Sequence, residues 1–430
     1  MSILTRGSTN LEINLDRMRN DFSAIVSFTK TPNHGCTRFS YSNEDRQVRD
    51  YLLLQMQGLG LSIKVDAIGN IRAIYGEEID KPSIMIGSHI DTVENGGKYD
   101  GLTGVLVALE IIRVLKEEQV TLSRSVELII FAEEEGSNFG ITMLGSKVLT
   151  GKYGIADLQS IRNGEGDSAY DVAKRFGLDI ESAEKDVLEE EEVNAMIELH
   201  IEQGAVLETL NKSVGIVQAI AGMKTFKVTL EGDSNHAGTT PMDLRQDPLS
   251  GAGNIISYIQ RIAKTVALPT TVATVGKIIC EPNMPNVIPQ RVVFFVDVRD
   301  VETKGIDLVV DRLIEKLNAV AAEDKLQCKI ELIGASDPVK LSSRIVQAIE
   351  ETASEYGYNY LKMNSGAVHD AAMMTDVTDV GMIFIPSMGG KSHCPEEYTR
   401  EKDIKSGGDL LLQTVIKLAV KRKKTNRTSS

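Results

Sequence analysis

Two short runs of almost uninterrupted apolar residues, PSIMIGSHIDTV (82–93) and SVELIIFAEEEG (125–136), flank an amphipathic stretch, GLTGVLVALEIIRVLKEE (101–118). A strand with one wet face alternates apolar and polar residues, whereas a strand covered on both faces is apolar throughout. The β–α–β order of such strands implies a parallel or mixed sheet with helices on both faces. NAMIELHIEQG (194–204) reads as a third strand of this sheet. Upstream, residues 11–28 and 43–58 have helical periodicity, and LSIKVDAIGNIRAIYG (61–76) alternates like a strand pair turning at Gly69-Asn70. Residues 150–194 are polar and helical in pattern, and their acidic run 189–192 reads as a solvated helix face.

From about Ser213 the character changes. TFKVTLEG (225–232) alternates as a strand and residues 247–266 form a helix. Residues 270–280 and 290–300 are strands, 305–323 a helix and 328–334 a last strand. That order, β-α-β-β-α-β, is the split βαβ of a ferredoxin-like domain. The larger domain resumes near Val339, with helices at 341–356 and 368–375, the apolar run GMIFIPSMGG (381–390) and a final helix to about Ala419. The expected fold is α/β: a larger discontinuous domain of residues 1–211 and 338–420, with a mainly parallel mixed sheet. It is interrupted by a smaller ferredoxin-like α+β domain, 212–337. The basic tail 421–430, KRKKTNRTSS, is expected to be a disordered solubilising end.

Composition narrows the partners. Of 430 residues, 42% are hydrophobic and 25% charged, which fits a folded globular chain. Lys and Arg number 47 against 61 Asp and Glu, a net charge of −14 that repels a phosphate backbone and argues against nucleic acid. The four cysteines, Cys36, Cys280, Cys328 and Cys394, form no C-x-x-C pair and fit a reducing compartment. The N-terminus lacks the apolar core of a signal peptide, and no run of about 18 apolar residues could span a membrane. The expectation is a cytoplasmic protein with no membrane partner.

The chain has only six histidines, and three fall where a buried strand runs out into a loop. His89 follows IMIGS, His200 closes MIEL, and His393 lies just beyond MIFIPSMGG. A fourth strand, ELIIFA, runs into Glu133, Glu134 and Glu135, and Asp100 joins from the Gly-rich loop NGGKYDG. Ligand sites in open α/β sheets form at the carboxyl ends of the strands, so one rim would gather imidazoles and carboxylates together. Such a set, without thiolate, suits Zn²⁺, Mn²⁺ or Co²⁺. Five ligands exceed the need of one four-coordinate ion, and a carboxylate shared between two ions accounts for the surplus. A lone strand-end histidine is more often a hydrogen-bonded structural residue, and an acidic triplet more often a solvated turn. Their convergence on one rim reverses both readings. Asp91, two residues after His89, is either a turn residue or the group that orients that imidazole.

GSHIDTV, KYDGLTGV, FAEEEGSNFG, ELHIEQG, NHAGTTPM, PNVIP and GGKSHCPEE, in this order between residues 87 and 397, resemble the M20 family of metallopeptidases and amidohydrolases. They are most similar to its hydantoinase/carbamoylase branch, which includes N-carbamoyl-L-amino acid hydrolases and allantoate amidohydrolases. The resemblance implies that His89 and His200 hold one divalent ion, Glu135 and His393 a second, and Asp100 both. Glu134 would be the general base. His236, from the inserted domain, would reach the partner subunit's site in a homodimer and bind the substrate carbonyl. Asn286 and Arg299 would recognise a carboxylate-bearing ureido substrate, with Gln203 and Gly366 completing the pocket. Taken alone, His236 reads as a turn histidine and Arg299 as a surface ion pair with Asp297 or Asp300. Asn283 in CEPNMPNVIP is a rival to Asn286, and His369 reads as a support for its loop. The implied reaction cleaves the ureido C–N bond of an N-carbamoyl-L-amino acid. Allantoate, dipeptide and acylamino acid substrates are the alternatives.

Overall fold

The computed structural model describes residues 11–76, 79 and 82–420; the expected basic tail lies outside them. The strands, in chain order, are β1 (Ser62–Val65), β2 (Ile71–Tyr75), β3 (Ser83–His89), β4 (Val126–Phe131), β5 (Val193–Ile201), β6 (Val214–Ile220) and β7 (Gly222–Glu231). They continue with β8 (Val272–Glu281), β9 (Arg291–Asp300), β10 (Gln327–Ser336), β11 (Val339–Lys340), β12 (Tyr360–Ser365) and β13 (Asp379–Ile385). The chain forms two compact units. One takes the described residues up to Gln218, Leu341–Met363 and those from His369 onward; the other takes Ala219–Lys340 and Asn364–Val368.

The sheet of the first unit has the order β1-β2-β4-β3-β5-β13-β6, with β12 beside β6. Its inner strands β4, β3, β5 and β13 run parallel, and the outer pairings are antiparallel. Every residue of β3 and β4 is buried, which explains their nearly unbroken apolar runs; the buried Glu127 of β4 is paired with Arg72. Alternation along the strands sends neighbours to opposite faces. Gly407 of helix Glu401–Ala419 packs on Leu199 and Ile385, while His200 and Phe384 turn the other way, onto His369. Helix Leu102–Glu117 buries all but its last two residues. Each such Leu, Ile or Val contributes about 1.5–3 kcal/mol, so burial of this helix is a large part of what holds it on the sheet.

Besides the two-residue β11, two strands were not expected, β6 and β12. The first is separated from β7 by the single residue Ala221, so no loop marks the boundary. The second is a half-exposed edge strand whose Lys362 and Asn364 hide the apolar signal. The acidic run 189–192 is corrected: it is a turn ahead of β5 and not a helix face, and Glu192 forms an ion pair with Arg72 at 2.7 Å.

The sheet of the second unit is antiparallel in the order β10-β7-β9-β8, carried by helices Pro248–Thr265 and Thr303–Glu323. Its core takes Phe226, Val228 and Leu230 from β7 and Val292, Phe294, Val296 and Val298 from β9, all at period two. Ile255, Ile259 and Ile262 on one helix, and Ile306, Val309, Leu313, Leu317 and Val320 on the other, recur every three or four residues as one stripe. Asp247 caps the first helix by accepting the amides of Leu249 and Ser250, with Pro248 in the first turn where its missing N–H costs nothing.

Candidate metal centre

The parallel register places the strand-end residues side by side. Ile86 pairs with Ile197, so three residues further His89 (86 + 3) stands beside His200 (197 + 3). His200 is level with Phe384 on β13, and His89 with Phe131 on β4. The imidazoles of His89 and His200 are stacked with centroids 5.9 Å apart. Between β3 and the helix that follows, the chain turns at Gly101 with φ +61°. A Cβ there would fall 2.5 Å from the His89 ring, so the close approach of Asp100 to His89 requires glycine.

Asp100 is the hub. Its Oδ1 lies 3.4 Å from His89 Nε2 and 2.9 Å from His200 Nε2, and its Oδ2 lies 3.3 Å from His393 Nε2. His393 Nε2 is in turn 3.4 Å from Glu135 Oε2, and Glu134 Oε2 is 3.8 Å from His89 Nε2. His89, Asp100 and His200 each offer one ligand atom within 4.8 Å of the others, and so do Asp100, Glu135 and His393. Both groups share Asp100, one through each oxygen.

Asp91 ties this cluster to its backbone. Its Oδ1 accepts the amide of Glu134 at 3.2 Å and its Oδ2 that of Glu135 at 3.1 Å. Its carbonyl accepts His89 Nδ1–H at 3.1 Å. Glu133, whose φ is +52°, bends the chain as it leaves β4, and its own carboxylate turns back to accept the amides of Asn138 and Phe139. Glu134 and Glu135 are thereby left to face the cluster. Gln203 donates from Nε2 to Asp100 Oδ2 at 2.7 Å. His369 is buried with its ring centroid 4.6 Å from that of His200, outside the two groups built on Asp100.

The electrostatics ask for a cation. Burial disfavours the charged form of His89, yet Glu134, Asp100 and Asp91 outweigh it and raise its pKa well above the usual value. The hydrogen bond to Asp100 raises His393 to about 9. Burial, then the charge of Asp100, pushes Glu135 up to about 8, and burial holds Glu134 well above the carboxylate range. His200 Nδ1 donates to the Ile201 carbonyl at 2.8 Å, which turns the lone pair of a neutral Nε2 onto Asp100 Oδ1. Apart from that approach, this buried nitrogen makes no hydrogen bond. Two acceptors at 2.9 Å stay together only with a proton or a cation between them. Imidazole and carboxylate donors of this kind fit a divalent ion, which binds by displacing the protons.

The remaining expected residues lie in the second unit. His236 is exposed, and its Nδ1 accepts the amide of Gly238 at 3.0 Å. The Asn286 carbonyl accepts the amide of Ala237 at 3.0 Å, so His236 and Asn286 sit on paired loops. Arg299 Nε donates to Asp297 Oδ1 at 2.7 Å and Nη1 to the Gly366 carbonyl at 3.1 Å, bringing those two expected residues together. Two residues at the metal-ligand cluster were not singled out from the sequence, Ser392 and Glu397. Both lie in or beside the GGKSHCPEE motif, where a serine and a carboxylate flank His393.

The model of peptidase family M20/M25/M40 matches residues 85–417. The N-carbamoyl-L-amino-acid amidohydrolase of Pseudomonas sp. (strain NS671) is 36% identical over 408 residues, covering 94% of this chain and 98% of that protein. The allantoate amidohydrolase of Bacillus subtilis (strain 168) is 35% identical over 400 residues, 92% of this chain and 95% of that one. Among solved structures, a hydantoinase/carbamoylase family amidase from Burkholderia multivorans superposes with a TM-score of 0.89 at 30% identity, covering 96% of this chain and all of that one. The strand-end imidazoles, the shared aspartate and these relatives agree, and the chain belongs to peptidase family M20/M25/M40, in its hydantoinase/carbamoylase branch.

Proposed function

We propose that this protein hydrolyses the ureido C–N bond of N-carbamoyl-L-amino acids, releasing the amino acid, CO₂ and ammonia, with two divalent ions at the strand-end rim. The observation that carries this reading is the placement of Asp100, with one oxygen toward His89 and His200 and the other toward His393. His89 and His200 would hold one ion, Glu135 and His393 the other, and Asp100 both; Zn²⁺, Mn²⁺ and Co²⁺ all suit these donors. Bound there, the ions supply Lewis acidity, making water acidic and polarising a carbonyl.

The protein's own groups do the rest. Glu134 takes the proton from the attacking water and returns it to the leaving nitrogen. Burial raises its pKa, which favours its proton-carrying state and suits that exchange. Asp91 holds the amides of Glu134 and Glu135 and fixes the His89 ring, so it sets the angle between base and ligands. His236 donates to the oxygen on which negative charge develops, from the partner subunit of a homodimer. Arg299, with its guanidinium plane set by Asp297 and the Gly366 carbonyl, takes the substrate carboxylate; Gln203, Asn286 and Gly366 line the same substrate.

Allantoate is the second reading. It too is a ureido acid, and the Bacillus subtilis relative of that name is nearly as similar as the carbamoylase. A panel of N-carbamoyl-L-amino acids, allantoate, dipeptides and N-acetylamino acids, assayed for hydrolysis products, separates the readings. Activity should fall to background with chelator and return with Mn²⁺, Co²⁺ or Zn²⁺. Full activity in metal-free protein would sink the metal assignment. Faster turnover of a dipeptide or acylamino acid than of any ureido acid would sink the substrate class.

A further inference from the structure

Glu397 is a buried carboxylate, 4% exposed, that contributes to neither group of candidate ligands. Its Oε1 accepts the backbone amides of Tyr99 at 2.8 Å and Asp100 at 3.1 Å. Its Oε2 lies 2.9 Å from the Ser392 hydroxyl, which also lies 3.1 Å from Asp100 Oδ2. Ser392 has one proton for two acceptors, so it is shared between the two carboxylates. The carboxylate of Glu397 rests directly on Gly97, where a Cβ would fall 1.9 Å from its Cδ. His393, next to Ser392, has φ +55°, a left-handed conformation that a non-glycine residue keeps only when its surroundings hold it. The amide of Glu397 closes the turn after His393 by donating to the Cys394 carbonyl at 3.1 Å.

Two loops far apart in sequence thus meet at one side chain. The first, 97–100, carries the shared Asp100; the second, 392–397, carries His393. Neither ligand sits on a strand, unlike His89 and His200, so nothing in the sheet ladder sets the distance between them. We propose that Glu397 is a positioning residue that clamps these loops together and so sets the affinity of the ion lying between Asp100 and His393. This rests on the two-ion reading above. The clamp works through acceptance of the two amides and through the Ser392 hydroxyl that Glu397 shares with Asp100, and what it tunes is the binding of a divalent ion.

The test measures metal per chain and metal affinity, with Mn²⁺ and Zn²⁺ as probes, together with amide hydrogen exchange in chelator-treated protein. Glu397→Ala should weaken one of the two ions about 10–100-fold, the range typical for partners that orient ligands, and change the other less. Exchange at the Tyr99 and Asp100 amides should accelerate in the same variant. Glu397→Gln keeps a carbonyl that can accept both amides and should restore most of the affinity. Equal affinity of both ions in Glu397→Ala and wild type would overturn the proposal, and so would a Gln variant as damaged as Ala. If Glu397→Ala does not fold, Ser392→Ala on the half-exposed loop decides: a several-fold loss for one ion supports the clamp, and unchanged affinity for both overturns it. A wild-type chain that takes up fewer than two ions would sink the two-ion reading instead, and the exchange measurement would then judge Glu397 alone.

Discussion

Glu134→Gln is expected to retain its bound metal and to lose about 10²–10⁴-fold in kcat, the usual contribution of a positioned acid–base group. The two neighbouring carboxylates occupy different surroundings. Glu135 Oε2 lies 3.4 Å from the His393 nitrogen, among the atoms grouped on Asp100 Oδ2. Glu134 stands further from any imidazole, 3.8 Å from His89, and is buried. The amide of glutamine keeps the shape of Glu134 but cannot take a proton from water, so the loss should appear in kcat with little change in KM. Glu135→Gln should behave differently and bind less metal, since a neutral amide oxygen is a poorer donor to a divalent ion than a carboxylate. Elemental analysis of both dialysed variants, alongside steady-state kinetics, distinguishes these roles. Metal loss in Glu134→Gln with normal occupancy in Glu135→Gln would show that the two functions are exchanged.

Mixing two inactive variants, His236→Ala and Glu134→Gln, should recover about a quarter of wild-type activity if subunits exchange at random in a homodimer. Half of the dimers are then hybrids, and one of the two sites in each hybrid joins an intact Glu134 to an intact His236 from its partner. His236→Ala alone should lose roughly 10²–10³-fold, the cost of removing one oxyanion donor. The exposed imidazole on its loop motivates the test: its Nδ1 accepts the Gly238 amide, which leaves Nε2 as the protonated, donating nitrogen. Co-expression with two affinity tags isolates the hybrids directly. No recovery in purified hybrids would place both residues in the same subunit's site, and full activity in a monomer would remove the partner's role altogether.

Much of this molecule was legible in the sequence. Strands β3, β4 and β5 announce themselves because a strand buried on both faces is largely apolar, its few polar residues, among them Glu127 and Glu198, being taken up by buried partners. The ferredoxin-like order is equally visible, since β7, β9 and both helices of that unit keep their own periods. Histidine is rare enough in this chain that three of six at strand ends or in the loop just beyond one form a pattern. Edge strand β12 and the short-linked β6 escaped because one lacks an apolar run and the other lacks a loop to bound it.

What the linear chain determined by itself was the inventory: which strands are covered, which residue types stand at their ends, and which family the motifs resemble. Local periodicity and rare side chains are properties of neighbours in sequence, so they survive without coordinates. The tertiary structure alone decided how that inventory is joined. Asp100 became the hub because its loop returns over the rim with one oxygen toward each group of imidazoles. Asp91 became a clamp because both of its oxygens meet the amides of a strand end 43 and 44 residues away. Glu397 meets the backbone of Tyr99 and Asp100 across separations of 298 and 297 residues. Contacts of that range carry no periodicity and no local propensity; they exist only once the parallel register has brought the carboxyl ends of β3, β5 and β13 to one edge of the sheet.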